Sequence, residues 1–167
     1  MITAQYCRTM AQYNQWQNNG IRAVVKTMDE EVLRQDRGAF FGSIFATLNH
    51  LLWADVMWLS RFGAGDPPTV EAANHKEMTP NKAEWDRLRF VTDGRIKEWA
   101  SRLKTVDLAG DLEWYSVMLD QTMHDPMALC VTHFFNHQTH HRGQVHAMMT
   151  AAGMTLPDTD LTLMSEN

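Results

Sequence analysis

The sequence is poor in cysteine. It holds two, Cys7 and Cys130, in 167 residues with no CxxC pair, which excludes a disulfide-dense scaffold. It also lacks a basic surplus. Fifteen Lys and Arg face twenty Asp and Glu, a formal net charge of -5, so the phosphate-neutralising term that dominates nucleic-acid affinity is missing. No run approaches the ~18 uninterrupted apolar residues of a membrane span. The opening MITAQYCRTMAQYNQW has neither a basic leader nor an unbroken apolar stretch. These absences lead us to expect a reduced, cytoplasmic protein with no nucleic-acid and no membrane partner. Gly-rich phosphate loops, GxSxG and HExxH are absent too. No Glu has a His three residues later, which argues against a carboxylate-bridged dinuclear site.

What is present reads as one domain spanning residues 1–167, with 44% hydrophobic and 21% charged residues. Helical spacing of Tyr6, Met10, Tyr13, Ile21, Val24 and Met28 predicts a first helix over Thr3 to Met28, with Gly20 as a mild weak point. The charged stretch Asp29 to Gly38 reads as a loop. A second helix, Phe40 to Phe62, is apolar nearly all round, as expected of a central helix or one shared with a partner subunit. A connection rich in Gly, Pro, Asn and Thr covers residues 64 to 80. A third helix starts near Asn81, where Asn81 and Glu84 have capping-box spacing. Seven of the fifteen Lys and Arg lie between Lys82 and Lys104, alternating with Glu84, Asp86, Asp93 and Glu98, the pattern of a solvated helix face. Residues 105 to 123 are ambiguous between a short extended segment and a hairpin. A fourth helix opens with Asp125 as N-cap and Pro126 in the first turn, and runs to about Ala152 before Gly153. The fold class is all-α, a four-helix bundle.

Five of the eight histidines fall within residues 133 to 146, on the fourth helix. His137 and His141 are four apart, so their rings stack on one face and can converge on one ion. Such HxxxH pairs also occur on solvated faces, so the pair needs a third group. His50 is the best candidate, because it sits amid the most apolar helix, beside Leu51 and Leu52. Neutral imidazole is the commonest metal ligand, although a core histidine can also be held by hydrogen bonds alone. His133 is the main rival, sharing the same spacing with His137. His75 and His124 read as loop residues, and His146 as surface or interface. Cys130 reads as a buried hydrophobe before a reactive thiol.

Three segments carry a resemblance to a known family. They are Tyr13-Asn14-Gln15-Trp16, the TLNHLLWAD stretch at 47–55 followed by Val56-Met57-Trp58-Leu59, and NHQTHHRGQ at Asn136 to Gln144. Together they resemble the DinB family of DinB/YfiT-like metalloenzymes along nearly the whole chain. The resemblance implies an up-down-down-up bundle that forms a homodimer. It also implies a mononuclear site with ligands His50, His137 and His141, holding zinc or nickel, with iron also suited, and a fourth position open. It implies either a metal-dependent S-transferase using a low-molecular-weight thiol co-substrate, or a hydrolase. The competing expectation is a metal-binding helical dimer with a structural, sensing or stress role. Arg142 and Gln144 belong to the motif, either as helix supports or as groups that orient a ligand ring.

Overall fold

The computed structural model describes residues 2–117 and 119–164. The chain is mostly helical with one small two-stranded sheet. Helix α1 (Ala4–Thr27) starts at Thr3, whose hydroxyl accepts the Tyr6 N–H at 3.1 Å. Helix α3 (Ile44–Arg61) starts at Ser43 and helix α4 (Lys82–Arg102) at Asn81 in the same manner. Each cap satisfies one of the amide donors that a helix start leaves free. Helix α5 (Met127–Ala151) ends before Gly153, which adopts φ +80°, the left-handed turn that glycine takes without strain.

Three boundaries differ from the sequence expectation. The stretch read as a loop contains a short helix, α2 (Glu30–Arg34), because Leu33 is fully buried. Glu30 helps to fix it, accepting the backbone N–H of Lys82 at 2.7 Å at the open end of α4. Phe40 and Phe41 lie outside α3, in a turn closed by an Ala39–Gly42 bridge with Gly42 at φ +83°. Asp125 does not cap α5. It pairs with Leu112 in a hairpin of β1 (Asp111–Ser116) and β2 (Gln121–Pro126), which feeds directly into the helix. The hairpin resolves the ambiguity of residues 105 to 123 in favour of strands at its C-terminal part.

Helix α1 packs on α4 and α5, and α3 packs on α5 and α4. Two apolar clusters fill the interior. One includes Cys7, Ala11, Leu59, Ile96, Phe134 and Phe135, and the other Ile21, Val25, Leu48, Leu52, Trp85 and Met149. Between them lies a buried polar layer with members from all four long helices: Asn14 and Asn18, Asp55, Arg89 and Asp93, Gln138 and Arg142. Arg89 donates to Asp55 Oδ2 at 2.7 Å and pairs with Asp93 Oδ1 at 2.9 Å. Asn14 and Asn18 also donate to Asp93 Oδ1, at 3.0 and 2.9 Å, and Gln138 donates to Asp55 Oδ1 at 3.0 Å. Arg142 donates to Asn14 Oδ1. The solvated-face reading of Lys82 to Lys104 therefore fails at Arg89 and Asp93. Both are 1% exposed, because their spacing of four turns them together towards the core.

The segment after α5 folds back over α1. Tyr13 donates to the Thr159 carbonyl at 2.6 Å and Gln17 to that of Asp158 at 3.2 Å. Gly20 is where this strap presses closest, and a Cβ there would sit 2.6 Å from Pro157 Cγ. Ala for Gly in an unhindered helix gains about 1 kcal/mol. Here Gly20→Ala should instead lower the melting temperature, with an overpacking cost of roughly 1–3 kcal/mol. Adding Pro157→Ala should reverse the sign. Calorimetry checks both, and a single variant more stable than the parent would contradict the contact.

Candidate metal centre

Helix α3 supplies His50, and α5 supplies His137 and His141 from successive turns. Each offers one ring nitrogen, and these three atoms lie within 4.8 Å of one another. His50 Nε2 and His137 Nε2 are 3.1 Å apart. A tetrahedral zinc-type ion about 2.0–2.1 Å from each nitrogen holds its ligand atoms ~3.4 Å apart. The observed separations, 3.1 Å for one pair and no more than 4.8 Å for any pair, bracket that spacing. No fourth His, Cys, Asp or Glu joins the group among the described residues.

The protonation state suits ligation. Burial, reinforced by His137, His141 and His75, pushes the His50 imidazole down to about 3. Burial, with His141, His133 and His140 nearby, does the same to His137, also to about 3. His141 is lowered by burial, against an upward pull from its hydrogen bond to Gln144. Neutral rings with free lone pairs are the form that binds a cation.

The outer nitrogens are held as well. His141 Nδ1 donates to Gln144 Oε1 at 2.8 Å, which leaves Nε2 as the free lone pair. Gln144 Nε2 in turn reaches His140 Nε2 at 3.2 Å. His50 Nδ1 lies 3.0 Å from His75 Nδ1, so His75 anchors the far edge of that ring. Phe41 lies across the cluster, its ring centroid 4.1 Å from that of His50 and 5.3 Å from that of His141.

The structure thus brings together His137 and His141, paired by their spacing, and His50, picked out as a ring within the most apolar helix. It leaves His133 outside the group, its ring 5.7 Å from that of His137 and 5.3 Å from Trp58. His124 is exposed and pairs with Glu113 at 3.1 Å. Of the two open roles, Gln144 orients a ring, whereas Arg142 belongs to the core layer. His75 was missed. It stands on a 3-10 turn (Ala72–Glu77) tied to α3 by Trp53 Nε1 donating to the Val70 carbonyl at 2.7 Å and by Thr79 Oγ1 donating to Asn49 Oδ1 at 2.7 Å. Phe41 was expected on a helix face, and the turn at Gly42 puts it over the site instead.

A helical protein with three convergent imidazoles is the class this architecture defines. The chain belongs to the DinB family, whose model matches residues 1–167. It is similar to Protein DinB of Bacillus subtilis (strain 168), with 26% identity over 156 residues, covering 91% of this chain and 89% of the relative. A crystal structure of a DinB-like protein from Bacillus cereus ATCC 10987 shares the fold, with TM-score 0.64 and 19% identity, over 87% of this chain and 90% of the other.

Two outcomes follow from the geometry. Removing an outer hydrogen-bond partner typically costs 10–100-fold in metal affinity. His75→Ala should weaken zinc binding by about that factor in a chelator competition while leaving the far-ultraviolet spectrum unchanged; unaltered affinity would remove His75 from the site. The second outcome concerns pH. His50 and His137 titrate near 3 when folded, against about 6.5 unfolded. Between those values the unfolded chain binds more protons, so this stability is complete above about 6.5 and is lost as pH falls towards the folded values. The melting temperature of metal-free protein should decline across that window, and a His50→Gln, His137→Gln double variant should flatten the decline. Parallel curves for parent and variant would show that these rings do not set it.

Proposed function

We propose that this protein is a mononuclear metal-dependent enzyme whose ligands are His50, His137 and His141. The observation that carries this reading is the convergence of three neutral imidazoles, two of them with their outer nitrogen already held by another side chain, and, among the described residues, no fourth protein ligand in the group. Three ligands with an open position are the pattern of catalytic rather than structural zinc-type sites. The proposed metal is zinc or nickel, with iron also suited to three imidazoles.

A divalent ion bound there supplies a positive charge that lowers the pKa of a coordinated thiol or water. The chain's own part is to add no compensating charge, since all three ligands are neutral. Phe41 covers one side and limits water there. Gln144 and His75 hold the rings in position. We favour an S-transferase over a hydrolase, on family likeness. In that reading the sulfur of a low-molecular-weight thiol bonds to an electrophilic carbon as the bond to the leaving group breaks. The leaving group departs with the electron pair and the thiol proton passes to solvent.

The proposal includes an up-down-down-up arrangement of α1, α3, α4 and α5, supported by their pairwise packing. It also includes a homodimer and a cytoplasmic setting, where thiols stay reduced. Among the described residues no helix is long and apolar enough to cross a membrane. The apolar girth of α3 is covered within the chain by α2, α4 and α5, so the dimer rests on the family likeness.

The test is elemental analysis of purified, untagged protein beside a folded His141→Ala variant. We expect about one equivalent of transition metal in the parent and a loss of at least about tenfold in affinity in the variant. A folded parent that stays metal-free after reconstitution with zinc, nickel and iron would overturn the reading.

A further inference from the structure

Arg61 has no role in the site described above, yet it stands in line with it. It follows His50 on α3 by eleven residues, three helical turns with an offset of only about 20°, so both lie on one face. Helix α5 runs the other way along that face and presents His141, His137 and His133 in a row. The two rows meet again beyond the triad, where His133 packs 5.3 Å from Trp58. There the Arg61 guanidinium lies against the edge-to-face pair of Trp58 and Trp114, 4.6 Å from the first ring and 5.0 Å from the second.

What sets Arg61 apart is a half-buried guanidinium without a polar partner. Arg8, Arg37, Arg95 and Arg142 also lack a carboxylate among the described residues, but Arg8, Arg37 and Arg142 donate hydrogen bonds instead and Arg95 is exposed, whereas Arg61 is half-buried with no carboxylate beside it. Nor does it make a side-chain hydrogen bond among them. Two aromatic faces attract a cation, but they leave the planar donors of the guanidinium unused. Burial pulls its pKa down to about 10, so it remains charged at neutral pH. Exposed His133 packs on the same Trp58 indole that Arg61 contacts, so its ring is available as a second polar group there.

We propose that Arg61 and His133 form the anion end of the substrate site, holding a carboxylate on the α3–α5 face beyond the three-histidine cluster, with Arg61 about three turns (~16 Å along the axis) from His50 and His133 about one turn (~6 Å) from His137. This deepens the proposed function and rests on it for the position of the reacting atom. The substrate or thiol co-substrate is then an elongated molecule with its reactive group at one end and a carboxylate at the other. Partly exposed Trp114 flanks the carboxylate end and supplies apolar contact, with buried Trp58 behind it. One guanidinium beside a neutral imidazole matches a monoanion, which favours a carboxylate over a phosphate dianion. Arg61 is a specificity residue here, since it contacts the ligand away from the reacting atoms.

The experiment has two arms. Metal-free protein is titrated with octanoate and with octanol, read by tryptophan fluorescence. Octanoate should bind about tenfold more tightly than octanol, the worth of one charge-assisted hydrogen-bonded contact. Arg61→Gln should erase that preference and Arg61→Lys should keep part of it. A residue that merely packs the indoles would affect both probes equally. Equal binding of the two probes by the parent, or a preference that survives in Arg61→Gln, overturns the proposal. In the second arm, cobalt-loaded protein is titrated with ω-mercaptooctanoate and ω-mercaptooctanol, read by thiolate-to-cobalt absorption. A carboxylate advantage of about tenfold that depends on Arg61 supports two-ended binding. Its absence overturns the span between the two ends. Failure to load cobalt while the first arm succeeds counts against the metal reading alone.

Discussion

The fold depends on one ionic contact, the clamp of Arg89 between Asp55 and Asp93 in the middle of the core. Taking a charge out of water costs several kcal/mol even after relaxation, and breaking a buried pair by removing one partner costs about 3–5 kcal/mol. Burial pushes both carboxyls up while the guanidinium pulls them down. Two carboxylates balance two guanidinium groups, Arg89 and Arg142, so the layer is neutral as a whole. Any slip of one long helix against the others would leave a charge without its partner. Apolar clusters above and below tolerate sliding far better than this layer does.

That register decides which histidines meet. Gln138 bonds Asp55, and its chain neighbour His137 is thereby set opposite His50, five residues before Asp55. A single turn of slip on α5 would put His133 where His137 now stands. The identical i, i+4 spacing in the sequence gives no reason to prefer one pair over the other. The core layer makes the choice, and it does so at a distance from the imidazoles themselves.

The long helices were legible because their apolar period and end signals agree. Asn81 caps where its spacing to Glu84 said it would, and Gly153 stops α5. His50 was legible as a polar ring in an apolar helix. What escaped depends on tertiary placement. Leu33 turns a charged stretch into helix α2 only because a core exists to receive it. Arg89 and Asp93 carry the same letters as their solvated neighbours, and only the helical wheel combined with partners on α1 and α3 draws them inside. His75 approaches His50 across a connection whose path no local pattern encodes. Asp125 and Pro126 are sound helix-opening residues, but pairing with β1 claimed them first.

Phe41 has one more consequence. Its ring lies over His50 and His141, on a turn pinned by the Ala39–Gly42 bridge. A cover of this kind slows entry and exit together, so it changes exchange rates without changing the equilibrium constant. For the ion proposed above, occupancy in a growing cell would then be partly a matter of history, with an ion captured during folding being retained. Three imidazoles alone would follow the general order of divalent affinities. A slow door would let the supply at the moment of synthesis outweigh that order.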